Sequence, residues 1–216
     1  MIEERDYFED IQEEIEDEPV KVVEEEVEEK KAGIDWIGEI KDLFVTFIIC
    51  FVMVWGLTNF VVKPVQVDGA SMYPTLVDKE VGMVNLMLVN LDGVSRYDVV
   101  VIHHQERDEN WVKRIIGLPG ETISCKDDVV YINGQPLDEP YLDTDYVNDY
   151  RRSGAHFTND FDEVTLKEGE YFLMGDNRVV SLDSRIEGPF KEEDIIGKDV
   201  YIFYPFEQFK IVRNNY

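Results

Sequence analysis

The sequence predicts a mainly β fold, in which an antiparallel, partly closed β domain follows one N-terminal transmembrane helix. The first observation is that residues 43–62 form a run of 20 residues without a charged side chain. At 1.5 Å per residue, a helix of that length reaches about 30 Å, the thickness of a bilayer core. The second observation is that short segments rich in β-branched and aromatic residues recur after Pro64 and are separated by turn residues.

The charge balance excludes several partners. The 216 residues carry a formal net charge of −26, from 21 basic and 47 acidic side chains. Binding to nucleic acid needs basic stripes, so a nucleic-acid partner is not expected. Electrostatic attachment to anionic lipid is disfavoured for the same reason.

The chain begins with an acidic segment of low complexity. Residues 1–31 contain 15 acidic and 4 basic side chains, which predicts a solvated, largely disordered tail. Phe8, Ile11 and Ile15 have helical spacing, so a partner-binding helix is the alternative interpretation. We take residues 1–42 as a cytoplasmic tail.

Residues 43–62 are too long for the apolar region of a cleaved signal peptide, and too uniformly apolar for a buried core helix. The predicted span therefore stays in the mature protein as a membrane anchor, with membrane lipid as its surroundings, and residues 63–216 form the domain that follows. Basic residues before and after the span weakly favour a cytoplasmic N-terminus: Lys30, Lys31 and Lys41 precede it, and Lys63 and Lys79 follow it.

Within the domain, alternation and β propensity predict a series of strands, and Asn133-Gly134 predicts a tight hairpin turn. A polar stretch, residues 138–163, is interpreted as a variable surface insertion. The predicted strands are residues 65–67, 81–85, 98–102, 111–118, 129–132, 171–174 and 200–203.

Ser71 is the first candidate catalytic residue. It follows Gly69-Ala70, small residues that allow close approach of a substrate, and Pro74-Thr75 favour a turn behind it. The chain has no Gly-x-Ser-x-Gly elbow, so the base that activates this serine must lie in another segment.

Lys113 is the candidate base. Strand alternation puts it on one face with Trp111 and Ile115, and puts Val112 and Arg114 on the other. Burial disfavours the ammonium form, and enzymes use this to lower a lysine pKa from about 10.4 to roughly 7–8. A Ser–Lys pair is a known variant of the serine-protease triad.

A third block completes the pattern: Gly175-Asp176-Asn177-Arg178, followed by Ser181, Asp183, Ser184 and Arg185. Together with the apolar run, the Ser-Met-x-Pro-Thr motif, Arg96-x-Asp98-Val99 and Lys113-Arg114-x-x-Gly117-x-Pro119-Gly120, it resembles the bacterial type I signal peptidases, which are membrane-bound Ser–Lys endopeptidases. The resemblance covers roughly residues 43–205, and the blocks occur in the family's order.

The resemblance implies roles for these residues. Ser71 is the nucleophile and Lys113 the base, and the Ser181 hydroxyl orients the lysine. Gly175 is expected where a side chain would crowd Lys113. The supporting residues include two expected ion pairs, Asp183 with Arg185 and Asp176 with Arg114.

The oxyanion hole is incompletely specified. The backbone N–H of Ser71 is the expected first donor to the developing oxyanion. Some relatives supply a serine hydroxyl two residues before the nucleophile, where this chain has Gly69, so the second donor stays open.

The implied reaction is the cleavage of signal peptides from secretory pre-proteins at the outer face of the membrane, through an acyl-enzyme. The substrate is expected to bind extended beside residues 65–67. Shallow pockets would admit alanine at the first and third positions before the cut. The candidate pocket walls are Val65, Val67, Met72 and Val112.

Other side chains point to no cofactor. Cys50 lies in the span and Cys125 in the domain, so no disulfide is expected between them, which fits a Gram-positive-type bacterium. His103 and His104 are adjacent strand residues that point to opposite faces, so they are interpreted as surface residues, as is His156. No metal, nucleotide or haem motif is present.

Two other functions fit parts of the pattern. A self-cleaving repressor-type Ser–Lys protease shares a similar core, but this chain has a membrane span where such a repressor has a DNA-binding domain. A catalytically dead scaffold that binds exported peptides would not need both Ser71 and Lys113.

Overall fold

The computed structural model describes residues 36–216. The predicted acidic tail therefore falls largely outside the described residues. Its bounds and those of the predicted span and domain stay predictions.

The first described element is an apolar helix, α1 (Trp36–Gly56), which continues as a turn of π-helix (Leu57–Val61). Together they form a candidate membrane span of 26 residues, which contains an 18-residue stretch with a mean hydropathy of 2.2 and no buried part. Polar side chains near its end bond back to the helix: Thr58 Oγ1 donates to Val54 O at 2.9 Å, and Asn59 Nδ2 donates to Trp55 O at 2.7 Å. These bonds satisfy polar groups that a bilayer would leave without water.

The rest of the described chain is built mainly from strands, and every strand pairing in it is antiparallel. The mainly antiparallel β fold predicted from the sequence, after one apolar helix, is confirmed. The strands are β1 (Val62–Gln66), β2 (Val81–Asn85), β3 (Val99–His104), β4 (Glu109–Gly117), β5 (Thr122–Lys126), β6 (Val129–Ile132), β7 (Gln135–Pro136), β8 (Phe161–Thr165), β9 (Glu170–Met174), β10 (Phe190–Lys191), β11 (Ile195–Tyr204) and β12 (Lys210–Val212).

Short helices interrupt the strands. They are α2 (Met87–Asp92), α3 (Asp145–Arg152), α4 (Ser184–Glu187) and the 3-10 turns Pro140–Leu142, Glu192–Asp194 and Phe206–Gln208. Thr144 caps α3, because its side chain accepts a bond from the backbone N–H of Val147.

The strands form two sheets. The larger has the order β1-β2-β11-β3-β4-β9-β10, with β12 also paired to β11, and the smaller has the order β7-β6-β5-β8. The predicted hairpin turn joins β6 to β7, and both of its residues lie in the left-handed region, Asn133 at φ 50° and Gly134 at φ 77°. Positive φ at both positions is what a type I′ turn requires, so this prediction is confirmed.

The segment 138–163 contributes to the core. Tyr141, Leu142, Val147 and Phe157 are buried in one apolar cluster with side chains of the smaller sheet. The interpretation as a surface insertion is wrong for these four residues. The segment has a polar composition because the residues between these four are mostly polar and lie at exposed or partly exposed positions. That composition hides the four buried apolar side chains.

The pairing of β4 positions the site. Residues of β4 from Glu109 to Arg114 pair with β3, whereas only Arg114, Ile115 and Gly117 pair with β9. Within the described chain, the second edge of β4 from Glu109 to Lys113 has no strand partner. A cleft opens at this free edge.

Candidate active site

Ser71 lies on a turn between β1 and β2. Two backbone bonds close this turn, from Tyr73 N to Ala70 O at 3.2 Å and from Leu76 N to Met72 O at 2.8 Å. The carbonyl oxygen of Ser71 accepts a bond from the backbone N–H of Asn177 at 3.0 Å. The turn is therefore fastened to the loop that follows β9.

Lys113 reaches this serine from β4. Its Nζ donates to Ser71 Oγ at 2.9 Å, across 42 positions of sequence. Lys113 is 3% exposed, and its ammonium lies 5.4 Å from the ring centre of Trp111, two residues earlier on the same strand face. The two residue types needed for a nucleophile and its base thus lie in direct contact.

Burial lowers the pKa of Lys113 to about 8, because the low-dielectric surroundings disfavour the ammonium form. Asp183 opposes this shift, Arg185 adds to it, and Asp176 opposes it. The desolvation is the largest of these effects. At mildly alkaline pH a large share of this lysine is therefore a neutral amine, which can accept a proton.

Arg114, the next residue of β4, makes a bidentate pair with Asp176. Nε donates to Oδ1 at 2.8 Å and Nη2 donates to Oδ2 at 2.6 Å, and both side chains are buried. Thr75 Oγ1 donates to the same Oδ2 atom. Sequence reasoning assigned Thr75 only to a turn and missed this contact, because no spacing rule links positions 75 and 176.

Asp183 and Arg185 form a second bidentate pair, with Nε–Oδ1 and Nη2–Oδ2 distances of 2.8 Å each. Asp183 Oδ2 also accepts the backbone N–H of Gly175 at 3.0 Å. Burial alone would raise the pKa of Asp183, but Arg185, the Gly175 N–H and the Ser181 hydroxyl together outweigh burial and hold that pKa below its ordinary value. Asp183 is therefore an anion that already has a cation as its partner.

Arg178 was not among the predicted supporting residues, although it belongs to the same motif. It is 2% exposed, and its Nε donates to Gly175 O at 3.0 Å. Its Nη2 donates to the Tyr141 hydroxyl at 2.9 Å and to Glu139. Arg178 thereby joins the motif loop to the segment 138–163.

Gly175 lies where a side chain would collide with two serines. A Cβ at this position would lie 2.2 Å from Ser181 Oγ and 2.4 Å from Ser71 O. The atoms nearest to such a Cβ belong to Ser181 and Ser71, and the expectation that a side chain would also crowd Lys113 stays a prediction. Glycine allows this loop to approach the nucleophile's own backbone.

Ser181 is 5% exposed, and its Oγ has no hydrogen bond of good geometry within residues 36–216, although the hydroxyl lies close enough to Asp183 to help lower the pKa of that carboxyl. The hydroxyl is buried near the motif loop without a bond to Lys113. Its role in orienting the lysine stays a prediction.

The two predicted oxyanion positions differ in their backbone bonding. The N–H of Gly69 donates to Asp78 Oδ1 at 2.7 Å, so it is already engaged, and the φ of Gly69 is +91°. The N–H of Ser71 donates to no group within residues 36–216. Of these two amides, only that of Ser71 is available to an oxyanion.

A cleft of about 510 Å³ lies along the free edge of β4 and contains Ser71 and Lys113. Three of the four predicted pocket walls line it, namely Val67, Met72 and Val112, whereas Val65 packs against a core cluster. Other residues that the sequence did not single out as pocket walls also line it, among them Trp111, Val180, Leu182, Arg107, Glu109 and Asn110.

None of the three histidines lines this cleft. His104 is 6% exposed, and its ring centre lies 4.4 Å from that of Trp111 and 5.7 Å from that of Phe190. The interpretation of His104 as a surface residue is wrong, because Phe190 of β10 covers it. No group of three or more metal-binding side chains occurs among residues 36–216.

The chain matches the family model described as signal peptidase, peptidase S26, over residues 40–204. It therefore belongs to the S26 family of signal peptidases, as the motif resemblance indicated, and it is a serine endopeptidase, a hydrolase. Family membership supports the removal of signal peptides from secretory pre-proteins as its reaction, rather than the repressor-type or scaffold alternatives.

Curated relatives cover most of the chain. Signal peptidase I S of Bacillus subtilis is 39% identical over 187 residues, which is 86% of this chain and 97% of the relative. Signal peptidase I U of the same species is 44% identical over 68% of this chain and 79% of its own. Signal peptidase IB of Staphylococcus aureus is 36% identical over 84% and 94%. A solved signal peptidase I from Enterococcus faecalis is 35% identical and covers 49% of this chain and 95% of its own, with a TM-score of 0.44.

Proposed function

We propose that this chain cleaves signal peptides with Ser71 as the nucleophile and Lys113 as the general base, through an acyl-enzyme. The observation that carries the proposal is the 2.9 Å bond between Lys113 Nζ and Ser71 Oγ. The lysine is buried, and no carboxylate lies within salt-bridge distance of it in the described chain. A buried amine without such a partner loses its proton readily.

The chemistry follows from this contact. Ser71 Oγ attacks the carbonyl carbon of the scissile bond while neutral Lys113 takes the hydroxyl proton. Lys113 then gives this proton to the leaving amine, and the acyl group stays on Ser71 as an ester. A water molecule attacks the ester, with Lys113 again as the base, and the enzyme is regenerated.

The developing oxyanion needs hydrogen-bond donors. The free N–H of Ser71 supplies one. Gly69 cannot supply the second, because its N–H is bonded to Asp78 and it has no side chain. The second donor must come from another backbone group or from water.

The substrate lies extended in the cleft, where the free edge of β4 from Glu109 to Lys113 offers backbone hydrogen bonds to an added strand. Alternate substrate side chains then point into the same wall. Val67, Met72 and Val112 narrow the cleft close to Ser71, which favours alanine at the first and third positions before the cut.

We further propose that α1 anchors the enzyme in the cell membrane of a Gram-positive-type bacterium, with the tail inside and the β domain outside. Its support is the length and composition of the candidate span and the lysines that precede it. The named relatives from Bacillus and Staphylococcus are consistent with such a cell.

The direct test is cleavage of a purified pre-protein by the full chain in detergent, with the new N-terminus determined by mass spectrometry. We expect one cut after an alanine, complete loss of cleavage in Ser71→Ala, and normal cleavage in Ser124→Ala, a partly buried serine of the smaller sheet. Cleavage by Ser71→Ala at the same site would refute the assignment of the nucleophile.

The substrate model has its own test, in which each of the three positions before the cut is replaced by phenylalanine. The first and third positions should lose most cleavage, whereas the second should tolerate the change because its side chain points away. Equal tolerance at all three positions would contradict extended binding.

A further inference from the structure

The hydroxyl of Thr75 connects the turn that carries Ser71 to a buried ion pair. Thr75 Oγ1 donates to Asp176 Oδ2, the atom that also accepts Arg114 Nη2 at 2.6 Å. Arg114 directly follows Lys113 in β4. One carboxylate therefore joins the turn of the nucleophile to the strand of the base.

A second contact fastens the same turn. Asn177 N, one residue after Asp176, donates to Ser71 O at 3.0 Å. A single anchor would leave the turn free to rotate about that bond. Two anchors four residues apart, at Ser71 and Thr75, fix its orientation as well as its position.

The neighbouring groups leave Asp176 little freedom to move. The carboxylate is 1% exposed, and Arg114 binds both of its oxygens. The Arg114 guanidinium lies 4.1 Å from the ring centre of Tyr141 and donates to Tyr97 O at 2.9 Å. Asp176 is thus a fixed acceptor against which Thr75 sets the turn.

We propose that Thr75 is a positioning residue for the Ser–Lys reaction, because its hydroxyl holds Ser71 Oγ within hydrogen-bonding distance of Lys113 Nζ. The inference rests on the proposed dyad. Thr75 does not line the cleft, so it acts through Asp176 rather than on the substrate. Misplacement of a reacting group by about 1 Å costs on the order of 10²-fold in rate.

The test compares Thr75→Val, which keeps the shape and removes the donor, with Thr75→Ser, which keeps the donor. Thr122→Val is the matched control, because Thr122 is also a partly buried threonine whose hydroxyl bonds to a side chain, that of Thr165 in the smaller sheet. Pre-protein cleavage is measured from pH 6 to 10 in detergent, below the thermal midpoint of every variant.

We expect Thr75→Val to lower the alkaline plateau of kcat by about 10- to 100-fold, with little change in KM. The pH midpoint should stay where it is, because Asp176 keeps its charge beside Arg114. Thr75→Ser should recover most of the rate, and Thr122→Val should match the wild type.

A wild-type kcat in Thr75→Val would overturn the inference. So would a Thr75→Ser variant as slow as Thr75→Val, since the methyl group rather than the hydroxyl would then matter. Ser71→Ala is assayed in parallel to separate the two claims. Its continued cleavage would refute the dyad and this inference together, whereas an unaffected Thr75→Val beside an inactive Ser71→Ala refutes the inference alone.

Discussion

Two buried lysines in this domain have opposite surroundings. Lys198 of β11 is 9% exposed and lies 3.4 Å from Asp98 Oδ2, so its ammonium has a carboxylate partner. Lys113 of β4 is 3% exposed and donates to the neutral hydroxyl of Ser71. Lys198 therefore has an ion-pair partner, whereas burial without such a partner lowers the pKa of Lys113 to about 8.

Lys113 differs from Lys198 in its surroundings, but not because acidic residues are missing near Lys113. Asp176 and Asp183 are close enough to raise its pKa, and each of them is bound in a bidentate pair by an arginine. Each arginine pairs with the negative charge of its aspartate, so burial remains the largest influence on the pKa of Lys113. The comparison teaches that arginines can make a buried lysine into a base by occupying the carboxylates around it.

The largest expected effect separates the two lysines by activity. Lys113→Met should lower cleavage by at least about 10³-fold, because the dyad then has no proton acceptor. Lys198→Met should leave kcat near the wild-type value, since Lys198 does not line the cleft. Initial rates on a pre-protein measure both. A Lys198→Met variant that stays folded but is as inactive as Lys113→Met would contradict the claim that only Lys113 is needed for cleavage.

The members of the dyad should act as a unit. We expect the double variant Ser71→Ala with Lys113→Met to be no slower than either single variant, because the first change already disables the mechanism. Losses that multiply in the double variant would mean that the two residues act in separate steps.

The second effect separates the lysines by stability. Lys198→Met leaves the buried Asp98 without its cation, and breaking a buried ion pair costs roughly 3–5 kcal/mol of folding free energy. The lower end is expected, because Asp98 Oδ2 keeps the backbone N–H of Ser95 at 2.9 Å. Urea denaturation measures this loss in the free energy of unfolding. The double variant Lys198→Met with Asp98→Asn should recover part of the loss. If Lys198→Met leaves the free energy of unfolding unchanged, this ion pair contributes nothing to folding.

A smaller effect tests the role of the arginines. Arg185 lowers the pKa of Lys113, and Asp183 raises it. Arg185→Met should therefore move the activity limb to higher pH by roughly half a unit to one unit. Asp183→Asn should move it to lower pH, and the double variant should return it towards the wild type. The pH–rate profiles of the three variants measure these shifts. If the pH midpoint of activity is unchanged in both single variants, the proposed influence of Arg185 and Asp183 on Lys113 is contradicted.

The smallest expected effect concerns Ser181. Its buried hydroxyl makes no hydrogen bond to Lys113 in the described chain, so Ser181→Ala should lower the rate only severalfold, by about the contribution of one neutral hydrogen bond. Ser181→Thr, which keeps the hydroxyl, should lose less. A loss as large as that of Lys113→Met would mean that Ser181 bonds to the lysine during the reaction.

Sequence motifs were sufficient to select Ser71 and Lys113, the two side chains that the structure brings into contact. Ser71 and Lys113 were selected from local features, namely a small-residue turn and a lysine within an apolar strand. Strand alternation also put Lys113 and Trp111 on one face, where their side chains meet. The mainly β fold followed in the same way from recurring short segments.

Contacts between distant segments were beyond this reasoning. The Thr75–Asp176 bond spans 101 positions, and His104 is buried by Phe190 from another strand. The close contact at Gly175 also involves the backbone of Ser71, which lies in another segment. Such features depend on how the sheet registers bring the segments together, and local composition does not contain that information.

The central claim is that neutral Lys113 is the base, and the pH dependence of single-turnover cleavage tests it most directly. The wild-type rate should rise with pH through a midpoint near 8, because the neutral fraction of an amine grows as pH passes its pKa. Arg185→Met should move that midpoint upwards, while His103→Ala and His104→Ala should leave it in place. A midpoint near about 6.5, the ordinary histidine value, that either histidine variant abolishes would contradict the account.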